Sequence, residues 1–572
     1  MNKILTFSLI LLCLGCSKKP QFDDTTFDTF KSRFILAYWK QNPIAATSAG
    51  YHHYDSLLPA YTETYRNEGR QFCKTYLDSL NLFKPGNLQA SNRLDWVLLQ
   101  NALTSQLFYV DTFKAWQWDP SGYNIASSLA EVLQAKNITN SEKLSFIEKR
   151  LAAIPAYYKA AMENIVDPTA EHIKLAIEQN EGTVNYILGG FCAEMDKLMP
   201  GMKACSENKY FIAMADEAIR KYIEFLKAIP QKPNYKARDF RIGKTLYERK
   251  FELDIQSKGS AVEIYQKALI RKRALHRQMA GLTSQLWTKY FKEPQPKDTL
   301  AAIQQLIQKI ADKHAHRDSF MESIEAQIPQ LTKFVSEKNL LYLDPKKPLK
   351  VRRTPAYMDG VAGASISAPG PYDSDAETFY NVSTLEKMSA EQAESYLREY
   401  NFYVLQILNI HEAIPGHYAQ LVYANQSPSL VKTLFGNGAM IEGWAVYSER
   451  MMLENGYGNN EPEMELMYCK WHLRSVCNTI LDYSVHVLGW DQNQAMDLLV
   501  NQAFQQDAEA RGKWRRVSLT QVQLCSYFSG YTEIYELRER LKQKGNFDLK
   551  TFHEKLLSYG SSPVKEIAQM MK

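Results

Sequence analysis

The chain has 572 residues, 45% of them hydrophobic, which allows a large buried core and exceeds one small domain. Charged residues make up 23% and the net charge is only +5, which excludes a disordered chain and gives no reason to invoke nucleic acid. No basic stripe with interleaved aromatics occurs, so the plentiful Tyr and Phe count as core first and substrate cleft second.

The first sixteen residues stand apart. Lys3 gives a positive start, and Ile4 to Leu14 is an almost unbroken apolar run. It is too short to span a bilayer and reads as a signal-peptide core. Cys13-Leu14-Gly15-Cys16 resembles a bacterial lipobox, although Leu is usual where Cys13 stands. We therefore expect an exported lipoprotein anchored to the cell envelope, periplasm or outer membrane, only through a lipid on Cys16. The other cysteines, Cys73, Cys192, Cys205, Cys469, Cys477 and Cys525, are scattered without a CxxC pair, which argues against a zinc ribbon. Export permits disulfides, and Cys192 and Cys205 are close enough in sequence to pair; buried free thiols are the rival reading.

Residues 17–24 read as a linker. From Thr25 the apolar positions Phe27, Phe30, Phe34, Ile35 and Tyr38 follow helical spacing until Asn42-Pro43 stops them. Similar patterns predict helices within 61–81, 91–110, 140–165, 168–198, 207–228, 258–290, 297–313 and 317–338. The region 339–384 differs. Leu340–Leu343, Leu349–Arg353 and Phe379–Val382 read as strands, and Gly360 to Pro371 is too rich in Gly, Ser, Ala and Pro to hold a helix. Helix resumes after Ser389, which forms a capping-box pattern with Gln392. We divide the chain into a helical part, 25–338, and a part bearing the candidate metal site, 339–572, joined in one compact unit.

The segment from Tyr403 to Gln420 reads YVLQILNIHEAIPGHYAQ, and Glu442 follows in IEGWAVYSER. Two imidazoles and a carboxylate are the protein ligands a catalytic zinc uses, with a fourth position left for water. A Glu beside the first His, here Glu412, is placed to take that water's proton, as in H-E-x-x-H. Here His411 and His417 are six apart, so a straight helix would turn them to different faces. Pro415-Gly416 supplies the break that can swing His417 back.

HEAIPGHYAQ followed by EGWAVYSE resembles domain-of-unknown-function family 885, and Asn42 to Gly50 resembles that family's N-terminal segment. These bacterial proteins are similar to gluzincins, zinc metallopeptidases with a Glu third ligand. The chain reads as mainly α, with 339–384 a small sheet and loop beside a cleft, and the resemblance implies a zincin-like fold. It also implies one Zn2+ on His411, His417 and Glu442, with Glu412 as base. It implies an enzyme, a zinc metallohydrolase, and we expect a peptidase acting on peptides in the cell envelope. A second reading is a non-catalytic metal- or peptide-binding lipoprotein on the same scaffold. A di-metal helical oxidase lacks its paired Glu-x-x-His elements here. The sequence leaves the oligomeric state open.

Four further groups are candidates. Glu449 lies nearly on the face of Glu442 and is placed to orient a ligand His. Arg474, Asn478, Asp482 and His486 form a polar stripe at four-residue intervals on an apolar helix, with Asp482 able to bond His486. His486 resembles the His of a family D-x-x-x-H element and is assigned as an electrophile or carboxylate contact. Tyr527, preferred to Tyr531 because the resemblance aligns a Tyr before a Gly there, is assigned to the oxyanion. Arg515 or Arg516 is a candidate carboxylate clamp.

Overall fold

Capping chemistry sets where many helices begin. Asp23, Thr139, Ser260 and Ser389 each accept the backbone N–H three residues on and are bonded in return by the side chain there. Helices Asp24–Gln41, Asn140–Asn164, Ala261–Tyr290 and Ala390–Glu399 start at these boxes. Asn42 closes the first of them, and Pro43 opens the short helix Pro43–Ser48 as its first residue.

The structure is a computed structural model that describes residues 22–198, 203–354, 364–373, 377–386 and 388–571. The expected leader, its Cys16 and Gly360 to Gly363 lie outside the described residues. The fold is mainly α, as expected, with one three-stranded sheet. Each helical pattern read from periodicity contains a helix, and several others, among them Ala126–Gln134, Gly243–Asp254, Asp507–Leu519 and Leu549–Leu557, went unread.

Seven helices build the site: α1 (Ala170–Tyr186), α2 (Phe402–Glu412), α3 (His417–Asn425), α4 (Gly438–Glu454), α5 (Pro462–His486), α6 (Asp507–Leu519) and α7 (Ser526–Lys542). Strands β1 (Leu349–Arg353), β2 (Ala364–Ser367) and β3 (Thr378–Val382) form a sheet in the order β1-β3-β2. β1 runs parallel to β3 and β2 antiparallel to it, with Val351 and Ile366 flanking Tyr380. Tyr380 is fully buried and donates its O–H to Asn409 Oδ1 on α2 at 2.8 Å, which locks the sheet to the site helix.

The strand expected at Leu340–Leu343 does not form. Leu340 and Leu341 are buried in the main core, and this backbone bonds to side chains. His553 takes the Leu340 carbonyl, Tyr423 the Tyr342 carbonyl, and Glu554 the Tyr342 N–H. An apolar run is equally served by burial without a partner strand.

The largest core cluster runs from Phe108 to Met571 and crosses residue 338 without interruption. Two smaller clusters lie within the helices before residue 230, the second reaching Val431. Cys192 and Cys205 form a disulfide, and Cys73, Cys469, Cys477 and Cys525 are free and buried. No described helix is long and apolar enough to cross a membrane.

Candidate metal centre

The site begins with a bend. α2 ends at Glu412, Ala413 leaves the helical region, and α3 starts again at His417. Gly416 donates its N–H to Ile410 O at 3.0 Å, and a Cβ there would lie 1.8 Å from His411 O. No other residue fits so close an approach. Trp444 on α4 donates its indole N–H to Pro415 O at 2.8 Å and holds the bend from the far side. The two imidazoles thereby meet, 4.8 Å apart between centroids and nearly perpendicular.

A second close approach brings in Glu442. Gly443 and Gly530 put α4 and α7 in backbone contact: a Cβ on Gly443 would lie 2.4 Å from Gly530 Cα, and one on Gly530 would lie 1.7 Å from Ala439 O. This contact sets Glu442 and Tyr527 beside the histidines. Glu442 Oε2 stands 3.7 Å from His411 Nε2 and 3.4 Å from His417 Nε2. His411, Glu412 and His417 also offer ligand atoms within 4.8 Å of one another. Glu442 is the better-placed third ligand, because tetrahedral bonds of about 2.1 Å separate ligand atoms by about 3.4 Å.

The donor set fits a shared cation. Glu442 Oε2 and His417 Nδ1 are buried and make no hydrogen bond, and 3.4–3.7 Å is long for one. Burial raises the Glu442 carboxyl, but the two imidazoles outweigh it and hold it below the usual carboxylate range. Burial lowers His411, and the carboxylates of Glu442 and Glu449 overcome it, pushing it up to about 10. His411 donates Nδ1–H to Glu449 Oε1 at 2.7 Å, which aims Nε2 at Glu442. Glu449 is fully buried and also accepts the Trp471 indole N–H at 2.9 Å, a partner the sequence reading missed. Burial raises the Glu412 carboxyl above its ordinary value, against the pull of the two histidines.

His411, Glu412, His417, Glu442 and Tyr527 line a cavity of about 1890 Å³, well beyond the ~300–1,000 Å³ of a small-molecule pocket. Residues 121–127 and α1 supply part of its wall, which no motif announced. β2 lines it through Ala364 to Ile366 and, among the described residues, pairs only with β3. The Tyr527 ring stacks 6.4 Å from His411 and its hydroxyl accepts from Arg516 Nη2 at 3.0 Å. Burial, then the Glu442 charge, push that phenol up to about 12. Tyr531 packs instead on His472, 4.5 Å between centroids. Arg515 pairs with Glu178 at the surface.

The structure does not bring His486 to this group. It is 2% exposed and shares Nε2 between Val517 O and Thr520 O at 2.9 and 3.0 Å. Asp482 does not bond it but accepts the Val522 N–H at 2.9 Å. Val522 has φ +70°, a strained conformation for a β-branched residue. The pair thus fixes the turn that leads into α7 and Tyr527. The four-residue spacing fitted either destination.

The comparisons with known proteins agree with this picture at the level of family and fold. A solved candidate lipoprotein of unknown function from Shewanella oneidensis is 50% identical, with a TM-score of 0.86 over 95% of this chain and 99% of that one. A second candidate lipoprotein, from Colwellia psychrerythraea, is 17% identical with a TM-score of 0.76 over 95% and 98%, and bears on the fold alone. No curated protein matches the chain. A family described as "Bacterial protein of unknown function (DUF885)" matches residues 43–571, and the chain belongs to that family.

Proposed function

We propose that this protein is a zinc-dependent peptidase of the bacterial cell envelope. The observation that carries the reading is the convergence of His411, His417 and Glu442 at 3.4–3.7 Å around a carboxylate oxygen with no hydrogen bond, beside Glu412 and open to a large cavity. His411, His417 and Glu442 would hold the ion. When bound, zinc supplies Lewis-acid polarisation of a carbonyl and lowers a water's pKa towards about 7.

The chain's own groups do the rest. Glu412 takes the proton of the attacking water and delivers it to the leaving amine. The Tyr527 hydroxyl donates to the oxygen on which charge develops. Glu449 fixes the His411 tautomer and ring direction. The outer edge of β2 offers backbone partners to an extended peptide, which favours peptides over compact substrates. The leader-like segment Ile4 to Cys16 and the 50%-identical candidate lipoprotein from Shewanella oneidensis support export and anchoring through Cys16.

The test is metal content by mass spectrometry, with hydrolysis of a peptide mixture read on the same samples. Wild type should hold one zinc per chain, His417→Ala none, and Glu412→Gln should keep zinc and lose turnover. Zinc-loaded wild type that retains peptides but never cuts them would establish the non-catalytic binding reading instead. Wild type that takes up no metal would remove both.

A further inference from the structure

Beyond Tyr527 the cavity wall carries more positive than negative charge. Glu509 sits among Arg474, Lys513, Lys470 and Arg516; burial raises its carboxyl, but these four cations hold it below its ordinary range. Arg474 pairs with Glu509 at 2.6 Å, and Lys470 pairs with Glu399 at 2.8 Å. Lys513 and Arg516 are left over. Lys513 is 4% exposed and makes no ion pair among the described residues. Burial, with Arg474 and Arg516 nearby, drives it well below the lysine range against the pull of Glu509 and Glu399, and a further anion beside it would raise it. Arg516 spends Nη2 on two neutral groups, Gln523 Oε1 at 2.7 Å and Tyr527 Oη at 3.0 Å. Two more atoms are orphaned on the same wall: Arg474 Nη1 and the Oδ1 of Asn478, a residue 3% exposed. The half-buried Arg516 guanidinium, bonded only to neutral groups, is free to take an anion, and an orphaned buried amide oxygen calls for an N–H.

We propose that Arg516, with Lys513 and Arg474 Nη1, forms a subsite for a carboxylate of the substrate, while Asn478 Oδ1 accepts one of its backbone N–H groups. The inference rests on the peptidase reading for what the carboxylate is attached to. Tyr527 touches Arg516 and stacks on His411, so the carboxylate sits about one or two residues, at ~3.5 Å each, from the scissile bond. Its source is the free C-terminus of a short peptide or the side chain of an Asp or Glu.

Calorimetric binding to the zinc-loaded Glu412→Gln protein tests this without turnover. Three probes serve: acetyl-tetra-alanine with a free carboxylate, its C-terminal amide, and that amide with Asp in third place. The free acid should bind about 10- to 100-fold more tightly than the plain amide, as one charged hydrogen-bonded contact allows. Arg516→Gln should bring the ratio to about 1, Arg516→Lys should restore part of it, and Arg515→Gln should leave it intact. A weak Asp-amide assigns the subsite to a C-terminus; an Asp-amide as tight as the acid assigns it to acidic side chains as well. Equal binding of all three, no binding of any, or a ratio that survives Arg516→Gln overturns the proposal. Loss of the peptidase reading registers separately, as zinc-loaded wild type without turnover while the binding ratio stands.

Discussion

Two His–acid arrangements lie inside this protein, and they end differently. On α2 and α4, His411 gives Nδ1–H to Glu449 and leaves Nε2 facing Glu442 across 3.7 Å. On α5, His486 spends Nε2 on two backbone carbonyls and Asp482 spends Oδ1 on a backbone N–H. Both are buried in apolar helices. Only the first borders the cavity; each keeps a buried acceptor unbonded, Glu442 Oε2 in the first and Asp482 Oδ2 in the second. Burial, residue type and an unbonded acceptor are common to both arrangements; access to the cavity separates them.

The largest expected contrast is in turnover. Glu412→Gln should lower kcat about 10²- to 10⁴-fold, the range of a general base, with zinc retained. His486→Gln should cost less than about tenfold and act mainly on the melting temperature. Equal losses of kcat at equal stability would erase the distinction drawn between the two regions. A next contrast lies in the glycines. Gly416→Ala drives a Cβ to 1.8 Å from His411 O and should cost roughly 3 kcal/mol or more, with loss of zinc. Gly489, just beyond α5, has φ +77° and open space around it, so Gly489→Ala should cost only about 1 kcal/mol. Chemical denaturation of both variants measures the difference.

His553 donates Nδ1–H to Leu340 O at 2.7 Å and accepts Tyr447 O–H at 2.8 Å, and burial pushes it down to about 4. The unfolded value is about 6.5. A depressed folded value means the stability is fully present above about pH 6.5 and is lost as pH falls towards 4. The loss is about 3 kcal/mol. Burial lowers His486 as well, so it acts in the same direction. Urea unfolding of His553→Gln between pH 7 and 4 should show a flatter decline than wild type; an identical decline would refute the assignment. The smallest contrast is in metal affinity. Glu449→Gln should weaken zinc about 10- to 100-fold, while Asp482→Asn should shift it less than about threefold. A chelator titration that ranks them the other way would show that Glu449 does not orient His411.

Much of the site was legible along the chain. His411, Glu412, His417 and Glu442 stand in two short segments, and the need for a bend at Pro415-Gly416 followed from six residues being the wrong helical interval. Glu449 followed from its seven-residue spacing to Glu442. Trp471, the Gly443–Gly530 contact and the wall from α1 had no local signal, because each depends on a segment distant in sequence. The failed strand at Leu340–Leu343 has the same origin: Leu340 and Leu341 are buried, and distant side chains took the Leu340 and Tyr342 carbonyls.

By itself the sequence determined the mainly helical class, many of the helix starts and the set of residues able to bind a metal, since periodicity, capping and ligand chemistry act over a few residues. The tertiary structure alone decided which His–acid pair faces the cavity and which cations lack a partner. Those outcomes depend on helices meeting at backbone distance and on where the last free donors and acceptors find, or fail to find, a bond.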